Sequence, residues 1–567
     1  MPPPIFEAGL LTRWTSRRSL AALALLAMIA CALCASTYRI FGNFWDEPEH
    51  IAAGLVLIDR GEYRYDVQHP PLARLAAAIG PYLAGAHFSH DPDPIGDVAG
   101  QQLLYHSSAS YETLLTLARV GMLPFLLILL GATFAWTRRW YGDPAALLAL
   151  VFLVSCPVIL GHASLVALDV PVTGLIVASL YLLLRWFEKP SLARGTALGV
   201  ACALAVATKM SAIPFIAVAS ITLGLLRLAF LRRTPASKPL RSQWAPRLVS
   251  LAPGLLLGLC ILIGVYGHRL VYLTTPDLAP SRALNFYFGG HGALHDLAYR
   301  IAARVPLPFG FMMLPENIMG VEWHNAHGHP SYLLGQIAWN GWWYFYLVAL
   351  AVKTPLPLLL LGLTGLGMLT VRGVREGNLY RMAPAACFTA ILAFSCLYSH
   401  INIGVRHVLI AYPLLAMGGG VALESLWRRW PKPLARAGLL GLLLWQVATL
   451  AYAYPDYLAY FNAVAGRHPE RILVDSDLDW GGQDLRRLER VLAARQVTEL
   501  SIGYRGTADL SLEHLPPYQL LKPHQPVHGW VAITMLTLQE NPAGYDWLRQ
   551  YQPVQRVGQS FELYNIP

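Results

Sequence analysis

The chain returns about eleven times to an apolar run long enough to cross ~30 Å of hydrocarbon. The runs lie near 19–37, 113–136, 144–160, 170–187, 195–208, 211–230, 248–267, 342–371, 383–399, 406–426 and 436–454. Spans of this kind must satisfy their backbone hydrogen bonds within each segment, which makes them helices. The sequence therefore predicts a polytopic α-helical membrane protein with about 11 transmembrane helices. Composition agrees, with 13% charged residues against 55% hydrophobic ones. An ordinary soluble domain carries about 25% charged residues, and a disordered chain is poor in apolar residues. The fifth run is short, and the eighth is long enough to kink at Pro355 and Pro357. The first run is expected to be retained, because no small-residue cleavage site followed by a soluble domain ends it.

Net charge is +10, and its distribution accounts for it without nucleic acid. Arg13, Arg17 and Arg18 precede the first run, and Arg138 and Arg139 follow the second. Arg185, Lys189 and Arg194 come next, then Arg232, Arg233, Lys238 and Arg241, then Arg372, Arg375 and Arg381, then Arg428, Arg429 and Lys432. If the runs alternate, these clusters share one side, the cytoplasmic one by the positive-inside rule. The N-terminus is then cytoplasmic and the C-terminus outside. All seven cysteines lie in apolar runs, where a thiol behaves as a small hydrophobe. Cys31 and Cys34 have CxxC spacing but no second pair, so a metal or redox site is not expected.

Three outer segments are long, 38–112, 268–340 and 455–567. The expected organisation is a membrane domain over 1–454, including the first two of these, and a small extracytoplasmic α/β domain over 455–567. In the latter, Leu485, Leu488, Val491 and Leu492 make a helical stripe within 484–495, while 498–504 and 529–538 read as strands. No internal repeat is present.

Residues able to do chemistry crowd the outer side. Phe44-Trp45-Asp46-Glu47-Pro48-Glu49-His50 directly follows the first run. Asp46 can be read as a helix N-cap or as a general base at the membrane surface. Tyr65-Asp66-Val67-Gln68-His69-Pro70-Pro71-Leu72-Ala73-Arg74 then starts a second amphipathic segment, with His69 and Arg74 at the interface. Asp169, Lys209, Arg406 and His407 stand at outer ends of runs, and Lys353, before Thr354-Pro355, stands either there or at depth within the long eighth run. Ionisable groups at such depth mark a pathway or a ligand site, and Lys and Arg together suit a phosphate. Asp475, Asp477 and Asp479 invite a calcium reading, but an EF-hand needs Gly and Glu where this chain has Trp480 and Arg486. Turn chemistry ahead of the 484–495 helix is expected instead.

Asp46-Glu47 and the 65–74 motif together resemble the first outer loop of protein O-mannosyltransferases and their bacterial relatives. These are GT-C membrane glycosyltransferases that use polyprenyl-phosphate sugars, and they include the lipid A aminoarabinose transferases. Gly341-Trp342-Trp343-Tyr344-Phe345-Tyr346, Lys353-Thr354-Pro355-Leu356-Pro357, Asn402-Ile403-Gly404-Val405-Arg406-His407, Tyr460-Phe461-Asn462 and Asp475-Ser476-Asp477-Leu478-Asp479-Trp480 are similar to the bacterial branch. The 268–340 segment is too short for the repeat domain of the eukaryotic enzymes, so a protein acceptor is not implied. The tail also carries one glycine more than the pattern, in Gly481-Gly482.

The resemblance implies an inverting glycosyltransferase of hexosyl or pentosyl type in a bacterial inner membrane. It would move sugar from a lipid-phosphate donor to a hydroxyl of a glycan, lipid or protein acceptor. On that reading Asp46 is the general base and Glu47 orients it or binds acceptor. His69, Arg74, Lys209 and Arg406 hold the donor phosphate, and Asp169, Lys353 and His407 line the substrate site. A divalent cation is left open, since Gln68 supplies no carboxylate where the aminoarabinose enzymes have metal contacts. Two other functions compete. A secondary transporter would show repeats and midplane charges, and a receptor or scaffold would not need the first-loop acids and bases.

Overall fold

The computed structural model describes residues 16–66, 68–233, 248–267, 270–271, 291–304 and 307–567. Arg13, Val67, Lys238, Arg241 and much of the 268–340 segment therefore lie outside the described residues. Helices occupy all eleven apolar runs, but they are not equivalent. Among the described residues seven are long and apolar enough to cross a membrane alone. An eighth results if Asp143–Val154 and Pro157–Ala163, bent by 66°, form one span. Pro157 opens the second half, where its missing N–H and its ring end the first. Leu192–Val206 and Ala252–Gly264 are shorter apolar helices. The expected kink of the eighth run is a full break, with Phe345–Lys353 ending at Thr354 and Leu356–Glu376 beginning after Pro355.

Ala411–Arg429 lies outside the seven because it carries Glu424, Arg428 and Arg429. It needs no lipid-facing surface over most of its length, since every residue from Ala411 to Glu424 is buried in protein. Small residues allow this close approach. A Cβ on Gly365 would stand 1.8 Å from the Gly418 carbonyl oxygen of that helix.

Glu47–Arg60, Leu72–Leu83 and Gly96–His106 form a helical layer against the bundle. The chain from Tyr457 to Leu473 also packs into the bundle's core, so the separate core of the tail begins later, near Leu485. That domain is a five-stranded mixed sheet in the order 518–520, 500–503, 529–534, 561–566, 555–557. The first three strands run parallel and the last two pairings are antiparallel. Helix Leu485–Ala494 buries Leu485, Leu488 and Leu492, as its stripe predicts. The strand expected over 529–538 stops at Thr534, whose side chain accepts from the Thr537 N–H and caps a short helix, Met535–Glu540.

Candidate active site

Helix Glu47–Arg60 begins two residues after Trp45, and its first turn sends two carboxylates in different directions. Asp46 sits at the N-cap position, yet its side chain makes no capping hydrogen bond. Its carboxylate instead receives Arg406 Nη1 at 2.9 Å, from 360 residues further along the chain. Glu47 turns inward. It binds Arg119 through two contacts of 2.8 and 2.7 Å and also accepts from the Phe44 and Val166 N–H groups at 2.9 Å each. Both partners are 1% exposed. The Arg119 guanidinium also donates to the Tyr38 and Gly42 carbonyls, so Glu47 is a joint between the outer loop and two helices.

Asp46 opens onto a cavity of about 780 Å³. Asp169 and Lys209 face it as an ion pair of 2.7 Å, the acid from the first turn of Asp169–Glu188 and the lysine just beyond Leu192–Val206. Arg406 and His407 come from the short helical turn Val405–Val408. His69 lines the cavity with its Nδ1 held by Asp66. Val172, Ile176, Ile213, Phe215 and Phe394 give the same cavity an apolar side between the span ends.

Three predicted site residues stand elsewhere. Glu47 does not reach the cavity for the reason just given. Arg74, 1% exposed, spends its guanidinium on Asp66, with Nη2 to the carboxylate at 2.9 Å and Nη1 to the carbonyl at 3.3 Å. It braces the Asp66–His69 turn rather than facing a substrate. Lys353 is wholly buried beneath the tail, donating to the Leu458 and Asp477 carbonyls at 2.7 and 2.5 Å and lying 4.2 Å from the Phe461 ring centre. A lysine without solvent must find such partners, and that use leaves it outside the cavity.

The structure gives new roles to residues of the 475–480 motif and adds others that sequence reading did not place at the site. Trp480 lies under the Arg406 guanidinium at 4.2 Å, and Asp477 accepts from the Val405 N–H at 3.1 Å. The 475–480 segment is thus a brace for Arg406, not a turn serving the later helix alone. Its surplus glycine also has a use. Gly481 and Gly482 both take positive φ, 90° and 69°, where glycine costs least. Around this turn the Trp45 N–H donates to the Trp480 carbonyl and the Gly42 N–H to the Gln483 carbonyl, both at 3.1 Å. Asp475, Arg505 and Glu540 bring the tail domain to the cavity wall, the last two as a 2.9 Å ion pair.

Glu49 was within the quoted motif and its signal was spacing. Three residues after Asp46, it falls on the same helix face and lines the same cavity. Burial, helped by the nearby Asp66 charge, raises its carboxyl to about 7. Burial likewise raises Asp475 to about 6 against the pull of Arg406. Asp66 goes the other way: burial opposes its ionisation, but His69 and Arg74 hold it well below the carboxylate range. Because the Glu49 carboxyl is raised in the folded protein, ionising it costs stability as pH rises from about 4.5 through about 7. Glu49→Gln should therefore match the parent in Tm at low pH and exceed it by about 2–4 °C above neutrality. Thermal unfolding in detergent across pH checks this, and parallel curves would refute it.

A metal fits poorly. The Gln68 amide oxygen faces His324 Nδ1 at 3.0 Å, and the other nitrogen of His324 faces His329 at 3.4 Å. Among the described residues no three His, Cys, Asp or Glu side chains are grouped to hold a metal ion.

The dolichyl-phosphate-mannose-protein mannosyltransferase family matches residues 60–265. That stretch contains His69, Asp169 and Lys209 but neither Asp46 nor Arg406. No curated protein matches the chain. Among solved structures, ArnT from Cupriavidus metallidurans bound to undecaprenyl phosphate is 14% identical, with a TM-score of 0.50 over 96% of this chain and 98% of that one. The archaeal oligosaccharyltransferase AglB from Archaeoglobus fulgidus, in complex with an inhibitory peptide and a dolichol-phosphate, is 12% identical, with a TM-score of 0.49 over 98% of this chain and 75% of that one. The likeness to ArnT shows that this integral membrane protein has a GT-C fold.

Proposed function

We propose that this GT-C chain is an inverting glycosyltransferase, taking a hexosyl or pentosyl sugar from a polyprenyl-phosphate donor to an acceptor hydroxyl outside the membrane. The observation that carries this reading is one cavity in which Asp46–Arg406 and Lys209–Asp169 face each other beside an apolar wall between span ends. A lipid-linked phosphate needs that combination, with cations for its head and hydrocarbon-compatible walls for its first isoprene units. The bound lipids named for the ArnT and AglB structures are of the same chemical class.

In this mechanism the acceptor oxygen attacks the anomeric carbon as the bond from that carbon to the phosphate oxygen breaks. Asp46 takes the hydroxyl proton. The leaving phosphate keeps the bonding electrons, and Lys209, Arg406 and His69 stabilise the charge that grows on it. Asp169 holds Lys209 in place, His407 stands behind the phosphate, and the tail wall of Asp475, Arg505 and Glu540 meets the acceptor. The acceptor is a glycan, lipid or protein. With the basic loops cytoplasmic, as in a bacterial inner membrane, the cavity faces outward.

Steady-state transfer with purified protein and polyprenyl-phosphate sugar tests the phosphate assignment. Lys209→Ala should lower kcat by about 10²–10³-fold, the usual effect of losing one donor to developing charge. Lys209→Arg, which keeps a cation beside Asp169, should recover much of it. Parent kinetics in Lys209→Ala would remove this lysine from the site.

A further inference from the structure

The helices that frame the cavity also frame a second cleft at their opposite ends. Leu379–Tyr398 has Tyr398 at the cavity and Arg381 at the cleft, about 26 Å apart at helical rise. Ala411–Arg429 likewise starts beside His407 and ends in Arg428 and Arg429. The cleft is about 290 Å³ and lies on the arginine-rich side of the bundle, with Trp140 at its edge. Its lining holds four arginines, Arg372, Arg381, Arg428 and Arg429, against one acid, Glu424.

The ion pairs leave this charge unbalanced. Glu424 binds Arg428 at 2.7 Å, and Arg381 binds Glu376 at 3.1 Å. Among the described residues Arg372 makes a long 3.4 Å hydrogen bond to Ser425 and feels the Glu424 charge without forming an ion pair, and Arg429 has no ion pair. Two guanidiniums without an ion pair among the described residues thus converge on a cleft between span ends. A guanidinium fork matches a phosphate diester, an indole suits the headgroup layer, and basic pockets between spans on the cytoplasmic side take anionic lipid heads. Segregation of basic loops alone explains the charge but not its convergence on a cleft.

We propose that this cleft binds the phosphate headgroup of an anionic phospholipid. The site is separate from the catalytic cavity, and the proposal does not depend on the transferase reading.

Native mass spectrometry of the delipidated full chain, titrated with phosphatidylglycerol, phosphatidylcholine or inorganic phosphate, tests it. Phosphatidylglycerol should bind and phosphatidylcholine should bind at least about tenfold more weakly. Arg372→Ala and Arg429→Ala should each weaken phosphatidylglycerol about fivefold. Arg375→Ala removes the same charge from an exposed position on the same helix outside the cleft, and it should change nothing. An equal loss in Arg375→Ala would mean diffuse surface charge. Equal binding of phosphatidylcholine would mean ordinary annular lipid, and inorganic phosphate competing at the same concentration would mean a plain anion site. Each of these three results overturns the proposal.

Discussion

Asp46→Asn should insert and fold as the parent does, still bind the lipid-linked donor, and lose transfer by about 10²–10⁴-fold. The folding half of this expectation follows from geometry. Asp46 occupies the cap position without using its side chain as a cap, so helix Glu47–Arg60 loses no capping bond in the variant. The amide also keeps an oxygen for Arg406, now 2.9 Å from the carboxylate. What disappears is the capacity to accept a proton, together with the negative charge that pairs with Arg406. Single-turnover transfer, read beside thermal unfolding of the same preparation, separates the two effects. Transfer at the parent rate would exclude Asp46 as the base, and Glu49 would become the carboxyl to test. Glu47 is a weaker substitute because it is sealed in the core, while Asp169, ion-paired to Lys209 as Asp46 is to Arg406, would be tested beside Glu49.

Arg119→Ala should do the reverse, damaging folding rather than chemistry alone. It would strand the Glu47 carboxylate, 1% exposed, without its two-contact partner. Breaking one side of a buried pair costs about 3–5 kcal/mol, a large part of the stability of an ordinary domain. Thermal unfolding of the purified variant should show the loss. Replacing both residues by apolar ones of similar volume should restore much of it, because no buried charge is then left unpaired. An unchanged melting temperature in the single variant would show that the outer loop is held by other contacts.

These two neighbours show how far local sequence can be read. Asp46 and Glu47 are adjacent acids at a helix start, and a cap, a base or an orienting group suits either one. Their roles separate only through partners 360 and 72 residues away. Lys353 and Lys209 make a similar pair. Both stand at or just past a helix C-terminus, yet the tail covers one and leaves the other facing the cavity. Glu49 was legible by its spacing from Asp46. Arg505, His324 and His329 carried no such signal, because the elements bearing them meet the 44–74 segment only in the folded chain.

The sequence by itself determined the membrane class, the positions of the helices, the sheet-bearing tail and the segment from which Asp46 and His69 reach the cavity. Those properties follow from hydrophobic run length, helical periodicity and charge sorting, which act over a few turns of chain and leave a local record. Tertiary structure decided which apolar helices are long enough to span, and which acids and bases share a cavity. Burial, ion pairing and the pKa of a carboxyl depend on what packs against it from any distance in sequence. For this chain the deciding contacts come from Arg119, Arg406 and the 475–480 segment, whose chemistry is visible in the sequence while their placement is not.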